Sequence, residues 1–526
     1  MILAFLFAVI YLANYSHYYY FGVLPNNISV NFLMTNTTYA FSLILDSFHF
    51  IHFIGLLFFI ALFLILLQLY HKKIAPPGNK KKVAFLFSFC VLLLFVSNNN
   101  IKIDSRPFTN LSTTLVNFAN YTYKSLGGKV EIKREMFTKR IPEIKVEEKK
   151  EPAKINFLLF VSESVRDGST YSEEVYKKIN PFVNKLTQSN KIIRFKNYYA
   201  NSNSTLKCLY SITSGRIGNY CPRTVLYYDY LKASKDIRTF FITSQTIHYS
   251  NMDKFYGENI DLMTSRKDFD QEEFSDTGVN DFEVLDYFKT YIDTLTSNFA
   301  GIIQFNNTHY PYKTTDPKNN IIKGDNSLFE SYLNTIYEQD QIVKKYFEVL
   351  KNKNLLDSTI IIFISDHGES FNEHNISFHN NSLYNEQTKV PFWIYIPEKM
   401  KNLHQKAQLN QNNYFSHLDI FPTVLDIFDI TPDKSKSLTE GISIFRKIPE
   451  ERMIPLKGED MVPCYGYIRN NLKYVNMGRT KGNEMLVFNL SDDPKEKKNI
   501  YSGFSTKKQT KIKNTLDSLK TFYKIK

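Results

Sequence analysis

Short apolar runs that alternate with helical segments most constrain the fold of this chain. From residue 155 onward there are five runs of strand length: INFLLFV (155–161), TFFITS (239–244), GIIQF (301–305), STIIIFIS (358–365) and PFWIYI (391–396). A helical pattern covers Tyr332–Asn352, between the third and fourth runs. Strands that are apolar throughout are typical of a sheet buried on both faces. The order therefore predicts an α/β sandwich around a mostly parallel sheet.

The first 100 residues are much more apolar and predict a membrane anchor of two or three helices. Phe53–Leu69 is long enough to span a bilayer, Val83–Val96 is slightly short, and Ile2–Ala13 spans only if it continues toward Leu24. Residues 101–154 follow, with an amphipathic pattern and then a Lys- and Glu-rich linker. Residues 155–526 form the predicted catalytic domain.

Charge predicts the orientation of this anchor. Met1–Tyr70 contains no Lys or Arg, whereas the loop between the second and third runs carries Lys72, Lys73 and Lys80–Lys82. The positive-inside rule makes that loop cytoplasmic, so the chain after about residue 98 lies on the outer side. The net charge of +13 is compatible with an anionic lipid surface, and no segment resembles a nucleic-acid-binding module.

The cysteine content is compatible with a location outside the cytoplasm and does not by itself indicate one. The chain has four cysteines, and Cys208 and Cys221 could pair in an oxidising environment. No Cys-x-x-Cys spacing of a zinc or redox site occurs.

Polar residues follow two of the predicted strands directly. The first cluster, Ser162–Arg166, contains Glu163, which suits either a divalent ion or the start of a helix. The second, Ser365–Ser370, contains Asp366 and His367 and offers the mixed oxygen and nitrogen ligands that zinc takes. Active sites of open α/β sheets gather at the carboxyl ends of the strands, so both clusters are candidate site segments.

Two further segments join these candidates. Asn201–Thr205 precedes an apolar helix that ends at Ser214-Gly215, so its hydroxyl groups are either helix caps or a nucleophile near a metal. His309 follows the run 301–305, where it is either structural or available for substrate binding and proton transfer.

With these segments the chain resembles the alkaline phosphatase/sulfatase superfamily and, within it, the phosphoethanolamine transferases that modify lipid A. Glu163-Ser-Val-Arg166 resembles the family's Glu-Thr-Ala-Arg, and Ser365-Asp-His-Gly-Glu-Ser370 matches its central motif, with His379 at the family's spacing. Thr308-His-Tyr-Pro311 resembles Ser-His-Gly-Pro, and Glu386-Gln-Thr-Lys-Val-Pro391 resembles Glu-Gln-x-x-Val-Pro.

The resemblance implies a three-layer α/β/α domain of alkaline phosphatase/sulfatase type behind a transmembrane region. It implies one or two zinc ions and a covalent phospho-threonine intermediate. The resemblance gives these roles: metal ligands Glu163, Asp366, His367 and Thr205; nucleophile Thr205, with Ser204 as the alternative; substrate-binding residues Arg166, His309, Glu369 and His379.

What the resemblance implies about substrates and location follows from the same family. Phosphatidylethanolamine would be the donor, and lipid A or another cell-envelope glycan the acceptor, a modification associated with polymyxin resistance. The protein is then expected to be a monomer in a bacterial inner membrane, with its catalytic domain in the periplasm.

Departures from the family pattern keep two alternatives open. The family's nucleophile lies in Cys-Gly-Thr, whereas this chain reads Ser-Asn-Ser-Thr at 202–205. A phosphoglycerol transferase of the same superfamily and a degenerate, non-catalytic lipid-binding member are the alternatives. A sulfatase activity is disfavoured, because the Cys/Ser-x-Pro-x-Arg setting of its modified nucleophile is missing from the segment after Thr205.

Overall fold

This computed structural model describes Ile144 and residues 155–218, 224–233, 237–245, 259–269, 278–324, 327–431, 439–458, 463–477 and 484–523. The predicted anchor, the predicted amphipathic helix and all of the predicted linker except Ile144 lie outside these residues. Ile144 itself packs against the domain core. Of the helices in the described ranges, none is both long and apolar enough to cross a membrane.

The strands are numbered in chain order. They are β1 (Asn156–Ser162), β2 (Ile192–Arg194), β3 (Asn197–Tyr199), β4 (Ile237–Thr243), β5 (Leu262–Met263), β6 (Asn298–Gln304), β7 (Thr359–Ser365), β8 (Ser370–Phe371), β9 (Ser377–Phe378), β10 (Phe392–Tyr395), β11 (Tyr414–Ser416), β12 (Ile454–Gly458), β13 (Cys464–Arg469), β14 (Leu472–Met477) and β15 (Glu484–Asn489).

The α-helices lie between them, with short 3-10 turns at several loop ends. They are α1 (Glu173–Ile179), α2 (Pro181–Gln188), α3 (Thr205–Ser214), α4 (Tyr227–Ala233), α5 (Asp281–Ile292), α6 (Leu328–Asn352), α7 (Asn385–Thr388), α8 (Lys401–Asn410), α9 (Ile420–Ile427) and α10 (Thr506–Phe522).

Seven strands form the central sheet, in the order β2-β10-β7-β1-β6-β4-β5. The run from β7 through β5 is parallel, and β10 is antiparallel to both of its neighbours. The predicted mostly parallel sheet is therefore confirmed. The five predicted runs correspond to β1, β4, β6, β7 and β10.

Alternate side chains of each central strand enter two separate cores. Phe157 and Leu159 of β1 pack in the core that includes α3, α4 and α9, whereas Leu158 and Phe160 pack in the core that includes α5 and α6. Helices thus cover both faces of the sheet, which confirms a three-layer α/β/α sandwich. This double burial explains why the strands read as continuous apolar runs.

A second, antiparallel sheet was not predicted from the sequence. Its order is β12-β13-β14-β15, and side chains of α10 pack on one of its faces. A buried ion pair ties this sheet to the helical turn α7. Lys473 Nζ lies 2.8 Å from Glu496 Oε1 and donates to Asn385 Oδ1 at 3.0 Å and Thr388 Oγ1 at 3.1 Å, while Asn385 N donates to Glu496 Oε2 at 2.5 Å.

Another long-range contact satisfies the free backbone amides at the start of α2. Both carboxylate oxygens of Asp340, on α6, accept backbone hydrogen bonds, from Phe182 N at 2.9 Å and Val183 N at 3.0 Å. The carboxylate takes the place of a local cap, since Asn180 makes no side-chain capping bond. Burial raises the pKa of Asp340 to about 7.

Removing one partner of the Lys473–Glu496 pair should destabilise the domain strongly. Burial raises the pKa of Glu496 to about 7 and lowers that of Lys473, so each group depends on the other to remain charged. We expect Lys473→Met to lower the free energy of unfolding by about 3–5 kcal/mol, measured by urea denaturation. The double variant Lys473→Met/Glu496→Leu should recover most of that loss. A single variant as stable as the wild type would contradict the prediction.

Candidate metal centre

The pairing of β1 with β7 brings the two predicted metal-binding segments together. Ser162 and Ser365 are opposite each other in the parallel register, so Glu163 and Asp366 leave the sheet side by side. Asp366 N donates to Ser162 O at 3.0 Å, and Ser164 N donates to Asp366 Oδ1 at 3.0 Å. The two strand ends therefore fix each other.

Thr205 enters the same cluster from the first turn of α3. Its Oγ1 lies 3.3 Å from Glu163 Oε1 and 3.2 Å from His367 Nε2. Ser204 is the N-cap residue of α3 and makes no side-chain capping bond. Of the two candidate nucleophiles, the structure therefore brings the Thr205 hydroxyl to the acidic residue and the imidazole.

The imidazole of His367 is oriented by its own loop. His367 Nδ1 lies 2.9 Å from the carbonyl oxygen of Gly368, which can only accept, so Nδ1 carries the proton. The lone pair of Nε2 then faces the cluster, where Glu163 Oε1 and Asp366 Oδ2 each lie 3.5 Å away. A hydrogen-bonded second nitrogen is the usual arrangement of a metal-binding histidine.

The donor set and its spacing fit a tetrahedral zinc ion. Ligand atoms of Glu163, Asp366 and His367 all lie within 4.8 Å of one another and are buried. In a tetrahedron with zinc–ligand bonds of about 2.0–2.1 Å, ligand atoms are about 3.3 Å apart. The distances from Nε2 to its three neighbours, 3.2, 3.5 and 3.5 Å, are close to that edge. Among the described residues, Asp366 Oδ2 also has no hydrogen-bond donor.

The electrostatics of the cluster favour a bound cation. Burial, reinforced by the nearby Glu163 charge, raises the pKa of Asp366 well above its ordinary value. Burial would raise the pKa of Glu163 too, but His367, His309 and His379 outweigh it and hold that pKa below the ordinary value. A divalent ion removes the repulsion between the two carboxylates and allows both to ionise.

Two more predicted residues form a pair beside this cluster. His379 Nδ1 lies 3.0 Å from Glu369 Oε1, and the His379 ring centroid is 4.2 Å from that of His367. Tyr312 donates its hydroxyl to Glu369 Oε2 at 3.0 Å. Burial raises the pKa of Glu369 to about 7. His309 is oriented separately, with Nδ1 2.8 Å from Tyr310 O.

Arg166 is held by an acidic residue and two aromatic rings. Its Nη1 donates to Glu373 Oε1 at 2.8 Å, and the guanidinium lies over the rings of Phe329 and Phe371, 5.5 and 5.2 Å from their centroids. Its side chain is only 3% exposed. This arrangement stabilises the loop after β1, and the contact of Arg166 with substrate stays a prediction.

The suggested disulfide finds no support at its described end. Cys208 is a free, buried thiol on α3 whose Sγ lies 3.3 Å from Ser202 O. Cys221 lies outside the described residues.

Two glutamines of the site were missed by the sequence reasoning. Gln245, just after β4, donates from Nε2 to Glu163 Oε2 at 3.0 Å. Gln387 is fully buried, and its Nε2 donates to Ser370 Oγ and Phe378 O, each at 3.0 Å. The position of Gln245 at the end of a predicted strand could have identified it as a site residue. Gln387 is recognisable only within the Glu-Gln-x-x-Val-Pro motif.

Gly368 is required by close packing rather than by a tight turn. A Cβ at this position would lie 2.1 Å from the carbonyl oxygen of Glu386. The amide of Gly368 also donates to Gln387 O at 2.9 Å. The loop that carries Asp366 and His367 is thereby packed against α7.

Residues 155–430, which contain every residue of this cluster, match the sulfatase family model. The chain belongs to the sulfatase family. This finding confirms the sequence-based placement in the alkaline phosphatase/sulfatase superfamily.

Individual relatives of this sulfatase-family chain share only a small part of its sequence. Lipoteichoic acid synthase of Staphylococcus aureus (strain USA300) is 26% identical over 288 residues, covering 50% of this chain and 39% of the synthase. This chain thus aligns with well under half the length of that relative.

Solved structures share the fold at low identity. The integral membrane protein lipooligosaccharide phosphoethanolamine transferase A of Neisseria meningitidis has a TM-score of 0.54 at 16% identity, covering 84% of this chain and 85% of its own. The phosphonate monoester hydrolase of Agrobacterium radiobacter has a TM-score of 0.53 at 15% identity, covering 70% of this chain and 96% of its own. At these identities the likeness shows the fold alone.

Replacing Asp366 by Asn should remove most zinc affinity. The substitution keeps the shape of the side chain and replaces a charged ligand oxygen by an amide. Changes outside the ligand shell typically cost 10- to 100-fold in affinity, so we expect more than about 100-fold here. Competition with a chromophoric chelator measures the dissociation constant.

Asp340→Asn is the matched control, since it makes the same chemical change at a buried aspartate on α6. It should lower stability without changing zinc affinity. Equal affinities of the Asp366 and Asp340 variants would contradict the assignment of the metal centre.

Proposed function

We propose that the protein transfers phosphoethanolamine from phosphatidylethanolamine to lipid A, lipooligosaccharide or another cell-envelope glycan. The observation that carries the proposal is the position of Thr205, whose hydroxyl lies between Glu163 and His367 at 3.2–3.3 Å. A hydroxyl held in that way is suited to nucleophilic attack on phosphorus. The position also argues against a degenerate member without turnover.

In this proposal, Glu163, Asp366, His367 and Thr205 hold a zinc ion. When bound, zinc would lower the pKa of the Thr205 hydroxyl and offset charge on the phosphate. Gln245 supports the arrangement by donating to the second oxygen of Glu163.

The proposed reaction has two steps. Thr205 Oγ1 gives up its proton to solvent and forms a bond to the phosphorus of the donor, and the bond from phosphorus to the glycerol oxygen breaks. Diacylglycerol leaves after taking up a proton, which His379 or His309 can supply. A nucleophilic oxygen of the acceptor then attacks the phosphorus, gives up its proton and releases Thr205 as a hydroxyl. The Glu369 contact holds the His379 ring in place for this role.

A membrane location supports the choice of substrates. The predicted anchor would place the domain at the outer face of a bacterial inner membrane, where both lipid substrates lie. Tethering enzyme and substrates to one surface raises their effective concentration.

Phosphoglycerol transfer is the second candidate. The match to a lipoteichoic acid synthase over 288 residues favours it. The Glu369–His379 pair, formed by the motif that resembles the phosphoethanolamine transferases, favours the first.

An adduct experiment tests the proposal. We would incubate the zinc-loaded full chain in detergent with phosphatidylethanolamine and no acceptor, and map the adduct by peptide mass spectrometry. The expected result is phosphoethanolamine on Thr205. Thr205→Ala should reduce adduct formation by at least about 1,000-fold, because the attacking oxygen is lost.

Ser204→Ala is the matched control and should form the adduct normally. A phosphoglycerol adduct from phosphatidylglycerol alone would establish the second candidate instead. No adduct from either lipid, with zinc bound, would refute both transferase proposals.

A further inference from the structure

Three aromatic rings meet next to the histidines of the site. The ring centroid of Tyr310 lies 5.7 Å from that of Tyr312 at an interplanar angle of 77°, and 5.8 Å from that of Phe378 at 75°. We call Tyr310, Tyr312 and Phe378 the aromatic corner. Near-perpendicular contacts at these distances are favourable between aromatic rings, so the corner is a well-defined structure.

The aromatic corner forms part of the wall of the site. Tyr310 directly follows His309, and Phe378 directly precedes His379. Tyr312 reaches the same place through its hydroxyl, which donates to Glu369 Oε2 at 3.0 Å. The corner is therefore connected to His309 and His379 through the chain and to Glu369 through a hydrogen bond.

Exposure within the corner is unequal. Tyr312 and Phe378 are buried, at 2% and 7% exposure, whereas Tyr310 is partly exposed. The two buried rings thus hold the third in place while part of its surface remains accessible. A rigid, partly exposed aromatic ring loses little conformational entropy when a ligand binds to it.

The same wall already holds one cation on its rings. The guanidinium of Arg166 lies over Phe371, and the Phe371 ring is 5.5 Å from that of Tyr312. Three buried carboxylates, Glu163, Asp366 and Glu369, also lie in or beside the metal centre. The region next to the corner thus contains acidic side chains and aromatic rings that already accommodate a cation.

We propose that Tyr310 binds the primary ammonium of the donor's head group and thereby selects an amine over a neutral head group. The inference rests on the proposed function and adds its specificity-determining residue. A cation within about 6 Å of an aromatic ring is attracted by the ring quadrupole, whereas a glycerol head group is not. The motif that Thr308–Pro311 resembles has glycine at the position of Tyr310, so the ring is a feature of this chain.

Binding of two small phosphate esters tests the inference. Isothermal titration of the zinc-loaded full chain compares O-phosphoethanolamine, which carries an ammonium, with sn-glycerol 3-phosphate, which does not. The wild type should prefer O-phosphoethanolamine. Tyr310→Leu should weaken its binding by about 2- to 30-fold and leave sn-glycerol 3-phosphate unchanged, because only the cation–π contact is lost. Tyr310→Phe keeps the ring and should bind like the wild type.

Phe329→Leu is the matched control, since it removes an aromatic ring that lies under Arg166 rather than beside the histidines. It should not change the preference. An equal loss for both esters in Tyr310→Leu would show a packing role only and overturn the inference, as would an unchanged preference.

The adduct experiment separates this failure from that of the proposed function. A phosphoethanolamine adduct on Thr205 together with an unchanged preference in Tyr310→Leu would overturn the inference alone. A wild type that prefers sn-glycerol 3-phosphate and forms only the phosphoglycerol adduct would overturn both.

Discussion

The parallel pairing of β1 with β7 is the constraint on which the rest of the site depends. Its register sets Ser162 opposite Ser365, so the acid of one strand end and the Asp-His pair of the other emerge together. Seven backbone positions of β1 pair in this ladder, and every residue of both strands is buried. The ligand geometry is therefore set by the most rigid part of the fold, and the loops add only the groups around it.

The sequence predicted the central strands well, because burial on both faces makes them continuous apolar runs. It also predicted α6, although Ser327 caps that helix one turn earlier than the pattern suggested. The short edge strands β2 and β5 were missed because three and two residues are too few to show a period. The strands β12 to β15 were missed because Pro455, Gly458 and Gly466 interrupt the strand pattern and the pairing of the strands is set by tertiary contacts.

The residues of the site also divide into those that the sequence predicts and those that it does not. Carboxylates and histidines at strand ends are recognisable by their chemistry. The sequence therefore predicted Glu163, Asp366 and His367, and the structure brings these three side chains together. Gln245 and Gln387 have uncharged, non-ionisable side chains, so their residue type alone does not indicate that they donate hydrogen bonds inside the site. The ion pair of Arg166 with Glu373 was not predicted, because the two residues are distant in sequence and only the folded structure brings them together.

The buried ion pair of Lys473 and Glu496 has a consequence for how the enzyme matures. Asn385 and Thr388 of α7 are hydrogen-bonded to Lys473 and Glu496, which lie much later in the sequence, and α7 in turn supports the loop that carries His367. While the chain is still being synthesised, Lys473 and Glu496 have not yet emerged, and α7 lacks its anchor. The loop that carries His367 therefore gains its full support only after Lys473 and Glu496 have been synthesised and have packed against α7. Long-range contacts of this kind also slow folding, since their loop-closure entropy must be overcome before they stabilise the structure.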